Sequence, residues 1–241
     1  MQNYIIYALI VIGVLILIFC LAIASSAGAN MMEKFEATNK KLSSSFTVAN
    51  IFASMVSQMY LNGKVKVGRR SGYLTDAYMS SRKVVFLSEQ IFDNSSVAAL
   101  AITAHELGHA LQDKENPQTL NRRDSLGVAA KFLGYMMTPL FIAGIVLFFA
   151  MPLNLVYCIA CLSGAIGIFF LALIVKGLTI SIEKDASAKA IAFLRDMNIL
   201  DEDEIPYAKK LLKAALLTYI ADFLRAILGW TMLTPKAKLF D

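Results

Sequence analysis

A chain of 241 residues that is 57% apolar and only 17% charged is not an ordinary soluble domain, in which about a quarter of the residues carry charge. Its net charge of +5 comes with one basic cluster, KVKVGRR (residues 64–70), but with no nucleic-acid-binding module, so no nucleic-acid partner is expected and the basic balance is assigned to a face beside lipid. The three cysteines, Cys20, Cys158 and Cys161, all fall in apolar stretches, which excludes an extracellular disulfide framework and a thiolate metal site.

In chain order, residues 1–32 carry no charged side chain, and Tyr4 to Ala24 gives about 20 apolar positions, enough to cross a hydrocarbon core of about 30 Å. The small residues of AIASSAGA suggest a cleaved signal peptide as the alternative. Against it, no Lys or Arg precedes the run, and the run is longer than a signal h-region. An N-terminal transmembrane helix over residues 1–28 is therefore expected.

Thr47 to Leu61 repeats apolar residues at helical spacing and stops before Asn62 and Gly63. The glycine-punctuated stretch that follows predicts one or two hairpins, with KVVFLS (residues 83–88) as the best strand. Residues 95–113 read as a helix capped near Ser95 or Ser96.

That helix carries HELGH, and with it both histidines of the chain. His105 and His109 lie one turn apart on one helix face, so both imidazoles can reach one metal ion, and Glu106 can face a water bound to it. Zinc suits such a pair: it takes imidazole and carboxylate ligands, and with three protein donors it keeps a fourth position for water. A zinc-activated water with Glu106 as general base would then hydrolyse a peptide bond. The alternative is a zinc-stabilised membrane scaffold or regulator without catalysis, for which Glu106 would have no use.

From Phe132 to Val175 there are 44 residues without a charge, too long for one crossing and suited to two, with a turn at MPLN (residues 151–154). The segment 132–175 thus reads as a transmembrane hairpin. Thirteen Lys and Arg lie between the first span and the hairpin, and none lies in the N-terminal tail or at the hairpin tip. The positive-inside rule therefore puts the N-terminus outside, with the catalytic part (29–131) and the last part (176–241) in the cytoplasm.

No third histidine exists, so a further ligand must be an acid. Asp113, Glu115 and Asp124 follow the exit of the motif helix, and the DEDE run (201–204) before Pro206 suits a helix N-terminus. Glu183, in SIEKDASAKAIAF, returns to the same membrane face as the motif and shares a helical stripe with Ser187, Ala190 and Leu194, which makes it the chosen ligand. A carboxylate resting at the membrane surface is the alternative role for Glu183. Asp185 is read as a surface partner of Lys189, or else as a group that orients a histidine. Residues 205–233 predict one or two amphipathic helices packed on the catalytic part or lying at the interface, with a fourth crossing as the alternative. An oxyanion stabiliser is left open among Arg122, Arg123, Tyr73, Tyr78 and a backbone amide.

The order of one span, a strand, HExxH, a hairpin and then Glu183-x-Asp185-Ala186-Ser187 resembles the YugP-type family of bacterial membrane zinc metallopeptidases, most densely in GYLTDAYMSSRKVVFLSEQIF and AHELGHALQ. More distantly it is similar to the HtpX-type and CAAX-prenyl endopeptidases, whose E-x-x-A-D pattern has Ser187 here in place of its Asp. The resemblance implies an α-helical membrane protein with a small β-element and a gluzincin-like, zincin-type core with about three transmembrane helices. It further implies a multi-pass protein of the bacterial cell membrane holding one Zn2+ per chain and acting on peptide or membrane-protein substrates. By analogy with zincins, KVVFLS would be the edge strand that pairs with an extended peptide. Substrate identity and oligomeric state are not legible in these residues.

Overall fold

The computed structural model describes residues 15, 19, 22, 25–41, 47–61, 63–150 and 155–227. The expected first span and the MPLN turn lie almost wholly outside the described residues. The chain divides into two compact units, Met1–Leu120 with Ile180–Asp241, and Asn121–Thr179.

The first unit is organised around one helix. Helix α1 covers residues 25–39 and α2 covers Val48–Gln58; strands β1 (Lys66–Arg70), β2 (Ala77–Met79) and β3 (Val84–Ser88) lead through the short α3 (Glu89–Phe92) into α4, Val97–Glu115. Ser96 caps α4 by accepting from the Ala99 N–H at 3.1 Å, as the sequence expects. Helix α4 is buried on nearly every face, because Ala98, Ala99, Ala101 and Ala104 let neighbours approach while Leu100, Ile102 and Leu107 fill the spaces between. Burying each of those three larger side chains contributes about 1.5–3 kcal/mol.

The sheet has the order β1-β3-β2, with β1 parallel and β2 antiparallel to β3. Among the described residues only β2 and β3 form a hairpin, and β3 is the central strand, which corrects the expectation that KVVFLS is an edge. The physical reason is burial: Val85 and Leu87 of β3 are fully enclosed, whereas Lys66, Arg69 and Arg70 of β1 face solvent. Gly68 admits the β3 neighbour, since a Cβ there would come within 2.8 Å of the Phe86 ring. The edges available are β1 and β2.

Helix α7 (Ile205–Ile227) packs on α4 through Ala208, Leu211, Leu212 and Ala215, a spacing of 0, 3, 4 and 7, while Lys209, Lys210 and Lys213 stay exposed. The amphipathic reading of this segment therefore holds for 205–227; residues 228–233 lie outside the described chain.

In the second unit, parts of α5 (Pro117–Ala150) and α6 (Leu155–Asp196) face each other in antiparallel register. Gly144 abuts Leu162, where a Cβ would meet Cδ2 at 2.7 Å, and Gly164 faces Leu140. Small residues allow such close helix contact where no water drives it. Helix α6 is long and apolar enough to cross a membrane, with a window of mean hydropathy 2.7 of which 17% is buried; the apolar run Tyr135–Ala150 in α5 is shorter.

Candidate metal centre

Helix α4 and the last third of α6 meet at Gly108. A Cβ on Gly108 would lie 2.7 Å from the Ala186 carbonyl oxygen, so the middle of the HELGH motif is the point where the two backbones touch. Ala186, rather than Ser187, makes that approach. It places Glu183, one turn earlier on α6, opposite the two histidines.

The three side chains chosen from the sequence converge. Glu183 Oε2 lies 3.2 Å from His105 Nε2 and 3.5 Å from His109 Nε2, and the three groups offer ligand atoms that all fall within 4.8 Å of one another. All three residues are buried. Burial works to raise the Glu183 pKa, but the imidazoles of His109 and His105, by charge and by hydrogen bonding, outweigh it and hold the carboxyl well below its usual range.

These residues fit zinc. Two imidazoles and one carboxylate are its ordinary donors in catalytic sites, three protein ligands leave one position open, and a buried carboxylate needs a positive charge to balance it, which a bound cation supplies. Their Nε2 atoms face inward because the Nδ1 atoms are held from behind. His105 Nδ1 meets Ser187 Oγ at 3.2 Å, and His109 Nδ1 meets Gln112 Oε1 at 2.9 Å.

Gln112 was not singled out by sequence reasoning. Its Nε2 donates to the Ile182 carbonyl at 2.9 Å and to Asp185 Oδ2 at 2.7 Å. Asp185 also accepts from Lys189 at 2.8 Å, as expected, and therefore touches His109 only through Gln112. The signal in the sequence is the spacing: Gln112 stands three residues after His109, on the same helix face.

Glu106 is buried beside the pair, and its carboxyl is pushed up to about 7. Burial is the main cause; the His105 ring opposes it, the Glu183 and Asp76 carboxylates add to it, and the Tyr78 backbone N–H opposes it.

Strand β2 is tied down at both ends near this base. Before it, the enclosed Asp76 accepts from the Ser88 N–H at 2.7 Å and the Ser88 hydroxyl at 3.0 Å, and burial still raises its pKa. Gly72, at φ +114°, supplies the bend that brings the chain there. In β2 itself, the Tyr78 hydroxyl donates to Asp113 Oδ2 at 2.6 Å, and Lys83 in the β2–β3 turn donates to the same oxygen. Asp113 thus lies inside the last turn of α4 and is buried, a correction to its reading as a residue beyond the helix exit. Burial and this carboxylate raise the Tyr78 pKa and keep its hydroxyl protonated. Of the other oxyanion candidates, Tyr73 is half exposed and packs edge-on against Phe35, and the side chains of Arg122 and Arg123 are outside the described residues.

The chain is 32% identical over 150 residues to a Bacillus subtilis (strain 168) protein named "Putative membrane protease YugP", a match that covers 62% of this chain and 63% of the relative. No solved structure matches it. Residues 8–234 match the family described as "Putative neutral zinc metallopeptidase". A match of that extent means that the chain belongs to this family of zinc metallopeptidases.

Proposed function

We propose that the protein is a membrane-embedded zinc-dependent endopeptidase with a gluzincin-like core, which holds one zinc ion on His105, His109 and Glu183 and uses Glu106 as its general base. The observation that carries this reading is the convergence of Glu183 on the two imidazoles from 78 residues away, beside a buried base whose pKa lies near neutrality. Membership of a zinc metallopeptidase family and likeness to a membrane protease support it.

Zinc held by His105, His109 and Glu183 would supply the Lewis acid, lowering the pKa of an attacking water towards about 7 and polarising the scissile carbonyl. Glu106 would accept a proton from the attacking water as the new C–O bond forms, and return it to the nitrogen as the C–N bond breaks. Ser187 and Gln112 keep the two rings oriented through both steps. The extended substrate adds to the outer edge of β2, which carries no charge and directs its Tyr78 N–H at Glu106; the other edge is guarded by Lys66, Arg69 and Arg70.

The membrane arrangement belongs to the same proposal: three crossings, made by residues 1–28 and by a hairpin over 132–175, with the N-terminus outside and the site, built from parts 29–131 and 176–241, in the cytoplasm of a bacterial cell. Peptides or membrane proteins are the substrates. The exposed apolar side chains of the second unit, Phe141, Ile145, Phe149, Ile159 and Phe170 among them, support contact with lipid.

The test is cleavage of a diverse peptide library by detergent-purified protein, beside Glu106→Gln at equal zinc loading. Cuts made by the wild type and lost in the variant are the expected result. Zinc held equally by both with no cuts from either would favour the non-catalytic scaffold.

A further inference from the structure

The two histidines are held from behind by groups of different chemistry, and the difference has a consequence for the metal. The Gln112 amide sits between three partners: the Ile182 carbonyl and Asp185 on one end, His109 Nδ1 on the other. A backbone carbonyl can only accept a hydrogen bond, so the amide nitrogen is the atom that faces Ile182, and its second hydrogen points at Asp185 Oδ2, 2.7 Å away. Both amide hydrogens of Gln112 are therefore committed to α6. The amide oxygen alone is left for His109, and it too can only accept. The proton on the His109 ring must then sit on Nδ1, and Nε2 must present a lone pair towards Glu183.

His105 is held by a group of a different kind. Its Nδ1 faces the Ser187 hydroxyl, which can donate or accept and so permits either tautomer. Rotating that hydroxyl satisfies whichever nitrogen form the ring adopts.

We propose that Gln112 is the positioning residue that locks His109 in its metal-binding tautomer, reading the fixed direction of the Ile182 carbonyl on α6 and passing it to the ring on α4, whereas the Ser187 hydroxyl behind His105 accommodates either tautomer. This rests on the proposed zinc site and adds an asymmetry within it. Gln112 is buried and makes three hydrogen bonds, each between 2.7 and 2.9 Å, so the amide cannot flip without facing its oxygen to two acceptors. The same contacts tie the metal site to α6 at two further points, Ile182 and Asp185, on either side of Glu183.

The experiment measures zinc affinity by competition with a chelator for full-length protein in detergent, comparing wild type, Gln112→Leu and Ser187→Ala. Loss of an outer hydrogen-bond partner of a metal-ligating histidine weakens binding by about 10–100-fold, and this is the expected effect of Gln112→Leu. Ser187→Ala should cost clearly less.

Because the chain has two histidines, ring-15N labelling of the zinc-loaded protein gives two ring systems to follow. The wild type should show a slowly exchanging, hydrogen-bonded Nδ1–H that disappears in Gln112→Leu and persists in Ser187→Ala. Wild-type affinity in Gln112→Leu, equal losses in Gln112→Leu and Ser187→Ala, or an unchanged Nδ1–H in Gln112→Leu would each overturn the proposal. Failure of the wild type itself to bind zinc would overturn the proposed function, and this inference with it.

Discussion

Glu106 is the side chain at which function and stability pull in opposite directions. Its carboxyl is raised from 4.5 to about 7 chiefly by burial, so the folded chain binds this proton more tightly than the unfolded chain does. In zinc-free protein the ionised group therefore costs stability: the cost is absent below about pH 4.5, grows as pH rises through the interval, and is complete above about 7. Glu106→Gln should remove it. Zinc-free Glu106→Gln is expected to melt at a higher temperature than zinc-free wild type at pH 8, by a few kcal/mol in free energy, with the two curves meeting towards pH 4. Parallel melting curves across that range would show that the carboxyl is not held up by its surroundings. The benefit of the cost is a base whose proton affinity sits near that of the water it must deprotonate.

At the level of elements, the helix pair α4 and α6 is the unit that matters, and Gly108 sets its spacing. Gly108→Ala places a methyl 2.7 Å from a backbone oxygen that has no rotamer to escape into, so α6 must move. Overpacking of this kind costs about 1–3 kcal/mol, against which the better helix propensity of Ala returns at most about 1. The expected outcome is a lowered melting temperature together with weaker zinc binding, since Glu183 moves with Ala186; unchanged values of both would mean that the close approach is not required. The histidine pair and Glu106 were legible in HELGH because helical periodicity is local, and Glu183 was legible because the chain offers no third histidine. The role of Gln112 was not, because a glutamine at helical spacing says nothing about what crosses opposite it. Strand order escaped for the same reason: KVVFLS is visibly a strand, but its place between β1 and β2 is decided by which faces α3 and α4 cover, and no window of sequence contains that.

For the whole molecule, the proposed function divides chemistry and anchorage between the two units. The first unit encloses most of its apolar residues, whereas the second exposes many of its largest ones, which supports the proposed helix pair in lipid. The proposed topology is checked by inserting compartment-specific reporters. One placed at the 151–154 turn should be active only outside the cell, and one placed after residue 196, where α6 ends, only inside. The reverse pattern would move the catalytic part across the membrane, and signals on one side at both positions would remove the hairpin.

The position of Glu183 in the chain also has a consequence in time. Synthesis delivers α4 with both histidines first, then the whole of the apolar 132–175 segment, and only afterwards the carboxylate. On the proposed site, a growing chain that has not yet emerged beyond residue 183 would have a base and two rings but no complete set of ligands, and so no means of cutting its neighbours. Zinc on these ligands would close a loop of 78 residues, and a clasp over a loop of that length removes about 4–5 kcal/mol of disorder from the unfolded chain on the cross-link model. The protease would thus be armed only after its own insertion is finished, by the same ion that then fastens it shut.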